Sequence, residues 1–243
     1  VYNKVTTILY FNSDCFSIHI AKFSYEYGVK YINKPQNELL APAGSPEALD
    51  AAIAGGADAV YFGASAFNAR AGASNFNNEE LREAISKCRH FGVRSNITFN
   101  TLIFDREFDA AFREIEYLYT CGADALIVAD LGLASEIAAR FPDIELHAST
   151  QASAHSTDGC RFLEKLGFSR AVIARELDRD AIARICQTSP IETEIFIHGA
   201  LCVSHSGQCL FSSMVGGRSG NRGECAQPCR LPYSGGYPLS LKD

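Results

Sequence analysis

The sequence predicts a (β/α)8 barrel built on parallel strands, and three observations carry that prediction. From residue 38 onward one unit recurs, in which an amphipathic helix ends at a glycine and a short β-rich apolar run follows within a few residues. Those apolar runs lack polar alternation, as expected of strands buried on both faces. No Gly-x-Gly-x-x-Gly fingerprint is present, which favours a barrel over a doubly wound dinucleotide-binding sheet.

The elements follow in order. Strands are expected at 38–41, 59–63, 94–100, 125–130, 144–149, 170–174 and 192–197, and helices at 46–54, 78–91, 106–120, 133–140, 157–166 and 178–188. Ala51 to Asp58 leads through Gly55-Gly56 into Ala59-Val60-Tyr61-Phe62-Gly63. The stretch Glu114–Tyr119 leads through Cys121-Gly122-Ala123-Asp124 into Ala125–Asp130, and Phe162–Gly167 leads into Arg170–Ala174. Glycine suits these helix ends because it enters the left-handed conformation without steric cost. Strands alternating with helices at this spacing imply a parallel sheet. This reading finds seven strands of eight. The eighth is expected beyond Asp243, with the first 37 residues as the alternative source; a barrel lacking it would keep two open edges.

The 243 residues are 47% hydrophobic and 21% charged, which is ordinary globular composition and excludes collagen-like and disordered classes. No run of about 18 apolar residues is present, so no membrane span is expected. The net charge of −6 argues against coating nucleic acid through an overall field, though not against a local basic patch. Residues 1–37 differ from the rest: they carry a net charge of +2, eight aromatics and a single alanine, Ala21. They read as a leader of uncertain status, while 38–243 reads as an incomplete barrel domain with a cysteine-bearing loop over 199–233. The chain begins at Val1 and its only methionine is Met214, so the natural start is expected to lie elsewhere. No signal-peptide pattern is evident.

In such barrels chemistry lies at the C-terminal ends of the strands. Those positions hold Asn100 and Thr101, Asp130, Ser149 with Thr150 and Gln151, Arg175 with Glu176, and His198. Each has a plain alternative. Asp130 can cap the next helix, Arg175 and Glu176 can form a rim ion pair, and His147, inside a strand, reads as core. Seven strand ends that are all polar or tightly turned favour a pocket, with Asn68 and Arg70 reaching over it.

Nine cysteines are unevenly spread. Cys15, Cys88, Cys121, Cys160 and Cys186 are scattered and read as inert, whereas Cys202, Cys209, Cys225 and Cys229 crowd into 28 residues. An odd count rules out complete disulfide pairing within the chain, and a clustered quartet in a reducing compartment reads as a set of metal ligands. Thiolates suit zinc or iron–sulfur clusters, and the spacing does not distinguish the two. His198 and His205 each precede a cysteine by four residues, so a Cys/His nucleophilic pair is a second reading. The loop Gly216–Gly223, with Arg218, Arg222 and then Arg230, makes a local basic patch in which arginine can fork onto phosphate. No Walker loop, His-Glu-x-x-His or Gly-x-Ser-x-Gly motif occurs.

The segment Glu194–Cys202, with Ser206-Gly207-Gln208-Cys209 and Ser212, resembles the signature of the collagenase-like peptidase family U32. Glu38–Ser45 and Gly56–Tyr61 resemble its opening. Within the family, five stretches resemble the branch that forms 5-hydroxycytidine in 23S ribosomal RNA: 68–75, 145–151, 174–177, 217–223 and 229–233. The resemblance covers 38–243 and implies a barrel-type domain with an oxygen-labile 4Fe-4S cluster. It implies a bacterial, cytoplasmic enzyme whose RNA-acting branches depend on iron–sulfur assembly and on prephenate. Family activities are hydroxylation of an rRNA base, of a tRNA wobble uridine or of a ubiquinone precursor, and a reported peptidase activity. The expectation is therefore an RNA base hydroxylase, with a U32-type peptidase as the alternative. Cys202, Cys209, Cys225 and, less firmly, Cys229 would hold the cluster. Asn100, Asp130, Gln151, Arg175, Glu176 and His198 would form the catalytic pocket, and Arg70, Arg218, Arg222 and Arg230 would meet RNA.

Overall fold

The computed structural model describes residues 5–8, 37–69, 75–199 and 202–240. Eight strands form a closed barrel in sequence order, every neighbouring pair parallel. They are β1 (Val5–Ile8), β2 (Glu38–Pro42), β3 (Ala59–Gly63), β4 (Arg94–Phe99), β5 (Ala125–Val128), β6 (Glu145–Ala148), β7 (Arg170–Val172) and β8 (Glu192–Phe196). All seven expected strands are present. The eighth place in the barrel is filled from the leader rather than from beyond residue 243. Thr6 pairs with Glu38 on one side and with Glu194 on the other, so β1 closes the gap between β2 and β8. The sequence conceals this strand because Val5-Thr6-Thr7-Ile8 is a four-residue run outside the repeating helix–glycine–strand unit.

The helices are α1 (Pro46–Ala54), α2 (Asn78–Phe91), α3 (Phe108–Cys121), α4 (Leu131–Arg140), α5 (Thr157–Lys165), α6 (Arg179–Thr188) and the short α7 (Phe211–Gly216). Their starts are set by side chains that accept hydrogen bonds from first-turn amides otherwise left without partners. Ser45 accepts from Ala48, Ser156 from Gly159 and Asp178 from Ala181. Asn77 and Glu80 form a reciprocal capping box at α2. Gly122 ends α3 with φ 79°, and a side chain there would strike Arg89, whose guanidinium donates to the Gly122 carbonyl at 2.9 Å.

The main core lies between barrel and helices, where the outward faces of the strands meet Leu81, Ile85, Ile115, Leu118, Leu133 and Ile137, all buried. The barrel interior is different. It holds a small apolar group, Leu40, Ala59 and Val172, and beside it an ionic plug. Arg170, 1% exposed, donates to Glu38 at 2.7 Å and to Glu192 at 2.7 Å, and lies 3.6 Å from the fully buried Glu194. Three of these residues open their strands, so the plug closes the N-terminal end and leaves the other end to form a mouth. His147 is fully buried, as expected of a core residue; burial holds its pKa below the ordinary value.

Candidate functional site

The C-terminal ends of the strands open into a cavity of about 930 Å3. Its floor comes from the strand ends, with Asn100, Thr150, Gln151, Arg175 and His198 among the lining residues. Its roof is the segment from Cys202 to Ser240, which is nearly all loop, with α7 and two single 3-10 turns as its regular elements. A roof without regular structure must be held by specific bonds, and the sequence supplies them. Gly207, at φ 72°, passes so close to the Gln151 carbonyl that a Cβ would overlap it. Asn221 donates to the Gly207 carbonyl at 2.5 Å, the Ala226 amide donates to Ser212 Oγ at 2.9 Å, and the Ser240 amide donates to the Cys229 carbonyl at 2.8 Å.

All four clustered cysteines line this one cavity. Cys209 and Cys229 are half-buried, Cys202 and Cys225 exposed. Cys225 lies beside Gly220, within van der Waals reach of that position. Burial raises the Cys229 pKa, and the charges of Cys202 and Cys225 raise it further, so these thiols share one electrostatic neighbourhood. No three of the four sulfurs lie within 4.8 Å of one another. A single zinc ion, with bonds of about 2.3 Å, would draw its thiolates to within about 4 Å. Among the described residues no hydrogen bond joins any of these thiols to His198 or His205.

Other expected residues take distinct places. Asn100 accepts from the Ala69 amide at 2.9 Å and donates to Ser149 Oγ at 3.4 Å, which fixes its amide at the cavity floor. Asp130 is turned away. One carboxylate oxygen accepts from the Leu133 amide at 2.9 Å as the cap of α4, the other from the Ile103 amide at 3.1 Å, and the residue does not line the cavity. Arg222 also points elsewhere: its guanidinium pairs with Glu107 at 2.6 Å, donates to the Leu102 carbonyl at 2.6 Å and stacks over Phe104. Arg218 is exposed, Arg230 lines the cavity, and Arg70 lies outside the described residues.

Arg175 and Glu176 do not form the rim ion pair that their adjacency suggested. Both turn to Ser206, which is fully buried. Its amide and hydroxyl donate to Glu176 at 3.0 and 2.9 Å, and its hydroxyl accepts from Arg175 Nε at 3.4 Å. Burial raises the Glu176 pKa, but the Ser206 amide and hydroxyl outweigh it and, with His155, bring the carboxyl to about 2. His155 Nε2 lies 2.7 Å and His205 Nδ1 3.2 Å from Glu176 Oε1. Sequence reasoning did not single out His155. Its position depends on a bridge between Ala154 and Ile173, which carries the chain alongside the end of β7 and sets His155 next to Glu176. Its lying seven residues beyond the end of β6, on the mouth side, was the available signal.

The fold and site together are those of a closed parallel barrel with a four-cysteine loop across its mouth, in which thiols and strand-end polar groups face one cavity. Residues 44–240 match the model of peptidase family U32, and the chain belongs to that family. It is 45% identical over 197 residues to the 23S rRNA 5-hydroxycytidine C2501 synthase of Escherichia coli, covering 81% of this chain and 30% of that protein. It is 36% identical to the tRNA hydroxylation protein P of Haemophilus influenzae (81% and 43% covered) and 37% identical to a collagenase of Porphyromonas gingivalis (81% and 50%). The chain thus spans half or less of the length of these relatives. Among solved structures the U32 peptidase Mk0906 superposes with a TM-score of 0.55 at 12% identity, covering 72% of this chain and 74% of that one, which supports the fold. Among the described residues no helix is long and apolar enough to cross a membrane.

Proposed function

We propose that this chain carries the catalytic barrel of an iron–sulfur-dependent RNA hydroxylase acting in the cytoplasm, forming a 5-hydroxypyrimidine, most specifically 5-hydroxycytidine in 23S rRNA. One observation carries the reading: the four clustered cysteines and the strand-end polar residues face the same cavity. A 4Fe-4S cluster held by Cys202, Cys209, Cys225 and Cys229 would supply redox chemistry or Lewis acidity at the mouth. Two relatives are named for hydroxylating rRNA or tRNA, and the rRNA enzyme shares more identity with this chain than the tRNA protein does.

This chain's own residues account for binding and orientation. A pyrimidine reaches a barrel mouth only when swung out of its stack. The cavity lies within the range of about 300–1,000 Å3 typical of small-molecule sites, enough for one nucleotide. The Asn100 amide, fixed by Ala69 and Ser149, and Gln151 would meet the polar edge of the base. Arg175, oriented through Ser206, would meet a carbonyl or phosphate oxygen, and Arg230 and Arg218 would hold the flanking phosphates. Asp130 and Arg222 serve the frame: one caps α4, the other ties the roof to Glu107. The acidic remainder of the chain disfavours non-specific RNA, so affinity is concentrated at the mouth.

The test is anaerobic expression with iron and sulfide analysis, followed by mass spectrometry of nucleosides from RNA incubated with the protein, in the presence and absence of prephenate. About four irons and four sulfides per chain, lost in Cys202→Ala/Cys209→Ala, are expected. A gain of one oxygen on cytidine, absent in the same variant, is expected with them. A colourless protein, or one zinc per chain, overturns the cluster. Oxidised uridine in tRNA with unmodified rRNA overturns the choice of RNA.

A further inference from the structure

We propose that His155, Glu176 and His205 form a binding site for a divalent first-row transition-metal ion, distinct from the thiol set and beside it at the cavity mouth. The three side chains come from the loops after β6, β7 and β8, and their ligand atoms all lie within 4.8 Å of one another. Metal–ligand bonds of about 2.0–2.2 Å to imidazole and carboxylate require ligand atoms about 3–3.5 Å apart. The observed separations of 2.7 and 3.2 Å need only a slight opening.

Proton bookkeeping points the same way. His155 Nδ1 lies 2.7 Å from the Ser153 carbonyl. A carbonyl only accepts, so Nδ1 carries the proton, and in the neutral ring Nε2 is then a lone pair. That lone pair faces a Glu176 carboxylate oxygen at 2.7 Å. Two lone pairs at that distance require positive charge between them. His205 presents a second ring nitrogen to the same oxygen. Proton-only pairing would require His155 to be an imidazolium, with His205 donating its own Nδ1–H to the same oxygen, whereas one divalent ion satisfies all three groups with neutral rings.

The supports resemble those that orient metal ligands elsewhere, where a histidine donates its second N–H to a backbone carbonyl and a carboxylate is itself hydrogen-bonded. The Ser153 carbonyl serves His155 from a left-handed backbone, φ 58°, which is strained for a residue with a side chain. Ser206 holds Glu176 through both amide and hydroxyl. Two imidazoles and one carboxylate suit iron(II), zinc, cobalt or manganese, while the neighbouring thiols select softer centres. His205 is 75% exposed on its side chain and lines the cavity, so the remaining coordination positions open toward the mouth. The proposal does not depend on RNA being the substrate.

The experiment titrates Co2+ into the chain after its accessible thiols are capped with iodoacetamide. One equivalent is expected to bind with weak visible bands and no intense near-ultraviolet sulfur-to-cobalt band. His155→Ala and His205→Ala should each weaken binding about tenfold or more, while His90→Ala on α2 should leave it unchanged. His205 is exposed enough that its alanine variant folds. If capping disturbs the fold, the same titration on the uncapped chain counts the cobalt lacking the sulfur band. No such cobalt, affinity unchanged in His205→Ala, or a His155 ring protonated at both nitrogens by 15N NMR with Co2+ present each overturns the site.

Discussion

Arg222 and Glu107 join the roof of the cavity to the turn ahead of α3 through two hydrogen bonds, 2.6 and 3.1 Å long, donated by both ends of the guanidinium fork. The same guanidinium also donates to the Leu102 carbonyl and lies over the Phe104 ring. A forked, stacked arginine is poorly replaced by lysine, because an ammonium offers one point charge in place of a planar fork. It is also already engaged, which removes it from the set of phosphate-seeking arginines.

Arg222→Ala is expected to lower stability by about 1–2 kcal/mol and to expose the roof, residues 217–233, to limited proteolysis. Arg222→Lys should recover less than half of the loss. The salt dependence of RNA binding should be unchanged in Arg222→Ala, whereas Arg218→Ala, at an exposed position, should reduce the log–log slope by about one. Urea unfolding, protease mapping and binding at several salt concentrations check these outcomes.

Asp130→Ala removes the acceptor for the Leu133 and Ile103 amides. The expected cost is about 1–2 kcal/mol in stability with little change in metal content, because the carboxylate faces backbone and not the cavity. Asp130→Asn keeps an acceptor oxygen at the cap and should recover most of the loss. A tenfold loss of activity at unchanged stability would instead assign Asp130 a chemical role.

Glu194 makes stability depend on pH. Burial raises its pKa to about 7, against the pull of Arg170. Below about pH 4.5 the carboxyl is protonated in both folded and unfolded chains. Between there and about pH 7 the unfolded chain ionises while the folded one keeps its proton, so this contribution to stability falls as pH rises through that window. Glu194→Gln should therefore gain about 1–3 kcal/mol on wild type at pH 8 relative to pH 4.5, measured by urea unfolding at both. A constant difference between the two proteins across pH would show that Glu194 keeps its charge in the barrel.

Cys88→Ala and Cys225→Ala separate the two kinds of cysteine. Cys88 is fully buried on α2, and burial raises its thiol pKa to about 12. Its loss should cost about 1–2 kcal/mol while leaving iron content intact. Cys225, exposed on the cavity, should show the reverse: little change in the apoprotein's stability and loss of bound iron.

The legible parts of this molecule share a physical reason. Parallel strands all end on one face, so Asn100, Gln151, Arg175 and His198 could be assigned to one mouth from their position after an apolar run, and they do line it. The capping serine of α1 and the left-handed glycine after α3 are likewise local, and the helices they bound lie where expected. What stayed hidden depends on partners far away in sequence. Asp130 and Arg222 are polar and well placed, yet their direction is set by the Ile103 amide and the Glu107 carboxylate. His155 acquires a role only because Ala154 bridges to Ile173. The first strand has no local signature, and its pairing with Glu38 and Glu194 decides its place.

That first strand also sets the order in which the barrel can be completed. The strand holding Thr6 precedes the other seven in the chain; its partner Glu38 on β2 follows it closely, but its other partner, Glu194 on β8, comes only after the rest of the barrel. Until then, β2 can shield one side of β1 while the other side waits unpaired. Contacts so distant in sequence form slowly, because the loop they close is long. The nascent protein therefore passes through a stage in which nearly all its helices have a surface to pack on but the cylinder is still a curved, unsealed sheet. Chaperone demand should peak in that interval and end once β8 docks. The cysteine roof, which follows β8 in the chain, is therefore made only after the cylinder that must carry it can close.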